Sequence, residues 1–254
     1  MRRHKILVVN DDGVYGEGLK PLAAALSALG DVTMVVPEKE QSSIAHAVTL
    51  HKPIRLRRLE KNFYIINGTP ADCARFGALC ILKEKVDLVV SGINRGANMG
   101  EDTLYSGTVG AAREARFLGF PAFSVSLAQP AKRNFPAAAR VARAVARRVL
   151  KEGLPDGVFL NVNVPDRPFA SLRGAAVTFL GKRIYGRKHW PRLDPRGRTY
   201  YWMAGHIPKG VPTPGSDLEA VRDGKVSLTP LRLDMTDRGA MEIIREWDGL
   251  AGGG

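Results

Sequence analysis

Apolar residues follow two rhythms over the first two thirds of the chain. Ile6-Leu7-Val8-Val9 is an unbroken apolar run of strand type, and after a polar loop Leu19, Leu22, Ala23, Leu26 and Leu29 recur at helical spacing. Val32 to Val36 predicts the next strand. The alternation continues with a helix from about Pro70 to Leu82, a strand at Leu88 to Val90 and a helix from about Val109 to Leu118. A strand at Ala122 to Val125, a helix from Phe135 to Leu150 and a strand at Phe159 to Val164 complete it. Strands that are apolar throughout, each joined to the next by a helix, predict a parallel sheet covered on both faces. Residues 1–168 are therefore expected to form a doubly wound α/β core.

The pattern changes from Pro168 onward. Prolines, glycines and basic residues interrupt shorter strand candidates at Ala175 to Phe179, Thr199 to Met203 and Val226 to Leu228, with helix candidates at Asp217 to Val221 and Met241 to Trp247. Residues 169–254 read as a β-rich extension with arms, expected to be part of the same structural domain. Its last residues, Ala251-Gly252-Gly253-Gly254, are expected to fray.

Composition narrows the function. The chain has 254 residues, 44% of them hydrophobic, enough to bury a sizeable core. It has no run of about 18 apolar residues that would span a bilayer, and its N-terminus does not read as a leader, so the cytoplasm is expected and a membrane partner is not. Cys73 and Cys80 lie in an apolar segment without metal-site or disulfide spacing. Lys and Arg number 38 against 25 for Asp and Glu, a formal charge of +13, which favours anionic partners. The basic residues are spread along the chain rather than clustered. On α-helical spacing Arg140, Arg143, Arg147, Arg148 and Lys151 oppose Val141, Val145 and Val149, as on any amphipathic solvated helix. Nucleic acid is therefore not the expected partner, and small phosphate-bearing molecules fit better.

The candidate chemistry sits where strands end. Asn10-Asp11-Asp12-Gly13 follows the first strand directly, and the carboxyl end of a central parallel strand is where such sheets bind ligands. One aspartate could cap the following helix, yet adjacent carboxylates repel and call for a compensating cation. A dinucleotide-binding turn would read GxGxxG at this point; here the glycines are Gly13, Gly16 and Gly18, and no Walker A loop is present. Asn94 and Asn98, in the loop after Leu88 to Val90, are either turn formers or sources of a carboxamide oxygen, a hard neutral ligand suited to Mg²⁺ or Mn²⁺. Ser106-Gly107-Thr108 opens a helix with hydroxyls and free backbone N–H groups, which serves as an N-cap and as an anion site. The polar loop Glu38 to His46 reads alone only as a loop, with His46 an ordinary loop histidine or a proton-transfer group.

Several longer segments together resemble the survival protein SurE family, the stationary-phase 5′/3′-nucleotidases. They are VNDDGVYGEGL at 9–19, VVPEKEQSSIAHAVT at 35–49, NGTPADCA at 67–74 and VDLVVSGINRGANMGEDTLYSGTVGAAREA at 86–115. LNVNVP at 160–165, YYWMAG at 200–205 and AVRDGKVSLTPL at 220–231 extend the likeness over nearly the whole chain. The resemblance implies a Rossmann-like sheet, with a β-rich extension that exchanges arms between subunits to make homodimers or homotetramers. It implies one divalent ion, Mg²⁺ or Mn²⁺, on Asp11, Asp12, Ser42 and Asn94, with Asp11, Asp12 and Asn94 catalytic. A water on that ion would attack the phosphoryl group, with Asp12 the expected ligand and Asp11 shared. It places the substrate phosphate on Asn98, Ser106, Gly107 and Thr108, and implies nucleoside monophosphates as substrates, with short polyphosphate a further candidate. A non-catalytic nucleotide- or nucleic-acid-binding module is the alternative. Residues 181–198 match no family pattern, and Gly215-Ser216-Asp217 keeps only the acidic half of a usual Thr-Asp pair. The aromatic and basic segment 181–204 is expected to serve assembly before chemistry.

Overall fold

In a computed structural model, which describes residues 3–129, 131–186, 190–202 and 209–247, the first apolar run forms strand β1 (His4–Val9). Successive side chains of a strand point to opposite faces, and here both faces are dry. Ile6 and Val8 enter one core while Leu7 and Val9 enter another, all fully buried. Helix α1 (Leu19–Leu26) then leads to β2 (Gly30–Pro37), parallel to β1. An antiparallel pair, β3 (Leu56–Glu60) and β4 (Phe63–Ile66), extends that edge of the sheet.

Helix α2 (Pro70–Phe76) starts in a reciprocal capping box: Thr69 accepts from the Asp72 backbone N–H and the Asp72 carboxylate accepts from that of Thr69. The single helix expected over Pro70 to Leu82 changes at Gly77 into a π-helical turn, Gly77–Ile81. A Cβ at Gly77 would lie 2.6 Å from Leu7 Cδ1, so the glycine lets this segment press against the sheet. The chain continues through β5 (Leu88–Arg95), α3 (Asp102–Tyr105), α4 (Gly107–Phe117), β6 (Ala122–Ala128), α5 (Phe135–Glu152) and β7 (Val158–Pro165). On one face of the sheet α5 packs with α1 through Phe135, Ala138, Ala142 and Val149; α2 and α4 cover the other with Cys73, Val109, Ala112 and Ala115.

After β7 come β8 (Ala175–Val177), β9 (Lys182–Ile184), β10 (Trp190–Leu193), β11 (Thr199–Trp202), β12 (Lys209–Val211), α6 (Asp217–Arg222), β13 (Val226–Arg232) and α7 (Arg238–Arg245). The nine-stranded sheet has the order β3-β4-β2-β1-β5-β6-β7-β13-β8. Its centre is parallel, with β13 antiparallel to β7 and β8 parallel to β13. The fold is thus the mixed α/β, largely parallel sheet expected from the patterning. Two short antiparallel pairs, β10 with β11 and β9 with β12, stand outside that sheet.

In the core, the strand expected at Leu88 to Val90 runs on to Arg95, so Asn94 lies near its end rather than in a loop after it; in the extension, boundaries differ where the strands are short. The strand expected to Phe179 ends at Val177, and Phe179 makes only an isolated bridge to Ser216. β11 stops at Trp202, Met203 lying outside the described residues, while β13 runs on to Arg232. α7 begins at Arg238 because the Asp237 side chain caps Gly239 and Ala240, and it ends at Arg245 rather than Trp247. The glycine tail lies outside the described residues. Among those described, no helix is long and apolar enough to cross a membrane.

The topology has one functional consequence. The connection after β1 moves outward to β2 and β4, while β5, β6 and β7 build outward on the other side, so the chain reverses direction between β1 and β5. A crevice forms at the carboxyl ends of two such neighbours, and it opens here between Asp11-Asp12 and Asn94.

Candidate active site

A cavity of about 1130 Å³ lies over that switch point. Its wall brings together Asp11, Asp12, Ser42, Asn94, Asn98 and Ser106, six of the eight expected site residues, from four separate segments. The other two, Gly107 and Thr108, lie behind that wall. Thr108 is fully buried and its hydroxyl donates to Asp11 Oδ1. A Cβ at Gly107 would sit 3.0 Å from the Asp11 Cβ, so this glycine lets α4 close directly onto the aspartate. Ser106 borders the cavity, but its Oγ also accepts from Val109 N at 3.1 Å as the helix N-cap. The hydroxyls expected to face one phosphoryl group therefore divide: one orients a carboxylate and the other caps the helix.

The loop after β1 is held tightly. Asn10 is buried and donates to Gly13 O at 2.9 Å, while Gln41 N donates to Asp11 O at 2.8 Å, joining the loops that follow β1 and β2. Gly18 is a close-approach glycine: a Cβ there would stand 2.1 Å from Ile93 O, beside Asn94. Asn94 donates its amide to Gly96 O at 2.9 Å, which leaves the carboxamide oxygen as its acceptor. Ser42 donates to Glu40 Oε1 at 2.6 Å.

Asn98 rests on a buried polar layer supplied by the strands. Asn163 Oδ1 accepts from Asn98 N at 2.9 Å, and the amides of Asn161 and Asn163 donate to Asn98 O at 2.8 and 2.9 Å. Its own amide donates to Ser126 Oγ at 2.8 Å. Backbone and side chain are thereby fixed at the cavity floor, and buried polar groups in the sheet are satisfied by the same bonds.

The electrostatics run against the protein's overall charge. In a chain of net charge +13 the cavity is lined by Asp11, Asp12, Glu17, Glu40 and Asp102 against Arg95 and Arg183. Arg183 pairs with Asp102 at 3.0 Å and Glu17 with Arg133 at 3.3 Å; among the described residues Asp11, Asp12 and Glu40 have no ion-pair partner. Burial raises the Asp11 carboxyl above its ordinary range, opposed chiefly by the Thr108 hydrogen bond. Burial, and then the charge of Asp11, pushes Asp12 up to about 6. Two desolvated carboxylates that repel each other present negative charge that a cation would compensate. No three His, Cys, Asp or Glu side chains converge on one point among the described residues. A cation here would therefore depend on neutral oxygens as well, and the Ser42 hydroxyl and the Asn94 carboxamide are the hard donors on the same wall.

His46 lies elsewhere. Its Nε2 is 2.7 Å from Glu114 Oε2, and Arg75 Nη2 is 2.6 Å from Glu114 Oε1. Burial raises the Glu114 carboxyl, but His46 and Arg75 outweigh it and hold it below the usual range. This cluster ties the Ser42 loop to α2 and α4, so the histidine braces the site from outside.

The far wall comes from a part of the chain expected to serve assembly. Arg183 and Tyr185 reach back from β9 and its following residue to line the cavity beside Tyr105. Tyr185 donates its hydroxyl to Asp102 Oδ1, and burial together with that bond keeps the phenol above its usual titration range. Below them Asp217, fully buried, joins the two parts: Oδ2 accepts from Gly100 N at 2.9 Å and Oδ1 from Gly181 N and Leu218 N at 2.8 Å. The acidic half of the Gly215-Ser216-Asp217 motif is thus the carboxylate that fastens the extension to the Asn98 loop. Sequence reasoning missed Tyr105, although it stands one residue before Ser106 inside a recognised motif. It also missed Glu40, two residues before Ser42.

Comparison with known proteins follows the same residues. The family model described as "Survival protein SurE" matches residues 6–187. A protein of Geobacter sulfurreducens named 5′-nucleotidase SurE is 48% identical over 244 residues, 96% of this chain and 93% of that one. Another of that name from Geotalea uraniireducens is 48% identical over 245 residues, 96% and 99% of the two chains. The crystal structure of SurE protein from Aquifex aeolicus superposes with a TM-score of 0.85 at 39% identity, covering 95% of this chain and 98% of that one.

Proposed function

This chain belongs to the survival protein SurE family, and from that premise we propose that it is a nucleotidase: a divalent-cation-dependent phosphomonoesterase that releases phosphate from nucleoside 5′- and 3′-monophosphates. The observation that carries the reading is an acidic, partly desolvated pair, Asp11 and Asp12, at the switch point of a strongly basic protein. An anionic substrate would be repelled there unless a cation intervened. Asp11, Asp12, Ser42 and Asn94 would hold one Mg²⁺ or Mn²⁺, which supplies Lewis-acid neutralisation of phosphoryl charge and activation of water.

The chain's own residues do the rest. Thr108 fixes the rotamer of Asp11, so the carboxylate meets its ligand already oriented. Asn98, clamped by Asn161 and Asn163, and Ser106 at the start of α4 offer donors to the phosphoryl oxygens. Of the two carboxylates, the one less committed to the cation would orient the attacking water and accept its proton. The arm sheet of β10 and β11, with Trp190, Tyr201 and Trp202 exposed, is of the composition that anchors interfaces and supports a homodimer or homotetramer.

Non-catalytic nucleotide binding is the rival reading. Colorimetric release of phosphate from AMP and 3′-AMP, with Mg²⁺ or Mn²⁺ and with EDTA, separates the two. Turnover that EDTA abolishes is expected; tight nucleotide binding without turnover would favour the rival.

A further inference from the structure

We propose that Tyr105 and Tyr185 form the wall that receives the nucleobase, an aromatic specificity element built jointly by the catalytic core and the extension. The proposal rests on the nucleotidase reading and adds to it the part of the substrate remote from phosphorus.

Four observations lead there. First, the cavity that Asp11 and Asp12 line also carries both tyrosines, which are 58% and 44% exposed. Large aromatic faces left open inside a concave site mark a place where a ligand displaces water. Second, the two rings meet and one of them is held. The ring centroids are 6.5 Å apart at 73°, an edge-to-face contact, and Tyr185 is pinned through its hydroxyl to Asp102. Third, Asp102 is itself fixed by Arg183 Nη1 at 3.0 Å, and Arg183 N donates to Glu101 Oε2 at 2.5 Å, so α3 and the arm strand β9 hold the wall from both sides. Fourth, Tyr105 directly precedes Ser106, and its carbonyl accepts from Ala45 N at 2.8 Å, which ties the wall in register with the phosphate end of the cavity.

The chemistry selects the occupant. Because the Tyr185 hydroxyl is spent on Asp102, this ring offers a face and an edge rather than a polar recognition group. A flat π-system stacks on such a surface whatever its hydrogen-bonding edge, whereas a bare sugar phosphate gains little from it. Pre-ordering of the Tyr185 ring means that stacking on it costs little side-chain entropy. The wall therefore raises affinity for nucleotides over other phosphomonoesters.

The test compares AMP with ribose 5-phosphate, which carries the same phosphate and sugar without the base. In the full-length enzyme Tyr105→Ala should lower kcat/KM for AMP by roughly ten-fold, about 1.4 kcal/mol, mainly through KM, and leave ribose 5-phosphate within about two-fold. Tyr105→Phe should keep the wild-type preference. Tyr185→Phe should retain most stacking yet loosen the wall, giving a smaller rise in KM for AMP alone. Equal losses on both substrates, or no loss on either, would overturn the proposal while leaving phosphomonoesterase activity standing. Calorimetric titration with adenosine needs no turnover. Binding that weakens about ten-fold in Tyr105→Ala supports the wall even if the nucleotidase reading fails, and undiminished binding refutes it.

Discussion

Replacing Thr108 by valine keeps the side-chain volume and removes one hydroxyl, the donor to Asp11 Oδ1. Thr108 is fully buried and Asp11 nearly so, and no other side chain among the described residues hydrogen-bonds the Asp11 carboxylate. A hydrogen bond to a charged group contributes roughly 1.5–3 kcal/mol, which corresponds to a factor of about 10 to 150 in an equilibrium constant. Without it the Asp11 carboxyl, already raised by burial, loses the strongest influence that lowers it. The carboxylate becomes harder to ionise and freer to rotate. Thr108→Val should therefore weaken Mn²⁺ binding by one to two orders of magnitude at neutral pH, with a smaller deficit at higher pH, while Thr108→Ser restores most of it. Calorimetric titration of Mn²⁺ at two pH values, with thermal melts to establish folding, reads this directly. If Mn²⁺ affinity is unchanged and only kcat/KM for nucleotide falls, the hydroxyl serves substrate and the account of Asp11 is wrong.

Three further outcomes follow from the same geometry. Asp12 has a folded-state pKa raised to about 6 from its ordinary 3.8, so without cation the folded protein binds more protons than the unfolded chain between those values. Its contribution to stability therefore falls as pH rises through about 6, and a cation offsets the loss: saturating Mg²⁺ should raise Tm more at pH 8 than at pH 5, and equal shifts would contradict the assignment. Gly18→Ala would drive a Cβ into Ile93 O, so a loss of at least about 2 kcal/mol in urea unfolding is expected, together with weaker cation binding through Asn94. Asp217→Ala orphans backbone N–H groups at Gly100, Gly181 and Leu218; a cost of about 3 kcal/mol or more is expected, and a variant as stable as wild type would show that the clamp contributes nothing.

The core was legible because its strands are buried on both faces. Ile6 to Val9 and Ala122 to Val125 carry a signal that no solvent-facing strand would, and they fixed the place of Asp11, Asp12 and Asn94 through chain order alone. β3 escaped notice for the opposite reason. All five of its residues are exposed, so Leu56-Arg57-Arg58-Leu59-Glu60 has no buried face to impose a period of two, and its pairing with β4 supplies the order. The hydroxyls at the start of α4 were visible as chemistry, but their orientation depends on how closely Gly107 lets the helix approach Asp11. Arg183 and Tyr185 were the least legible. Their segment has no periodicity, and only the return of β9 against α3, clamped by Asp217, brings them to the cavity.

The central claim is that Asp11 and Asp12 make this site a cation-dependent phosphatase for nucleotides. It is tested most directly by phosphate release from AMP in wild type and Asp12→Asn across a Mn²⁺ titration, with circular dichroism and thermal melts for both. The account predicts saturable, EDTA-sensitive turnover in wild type and its loss by several orders of magnitude in a folded Asp12→Asn protein at every Mn²⁺ concentration. Undiminished turnover in that variant would contradict it.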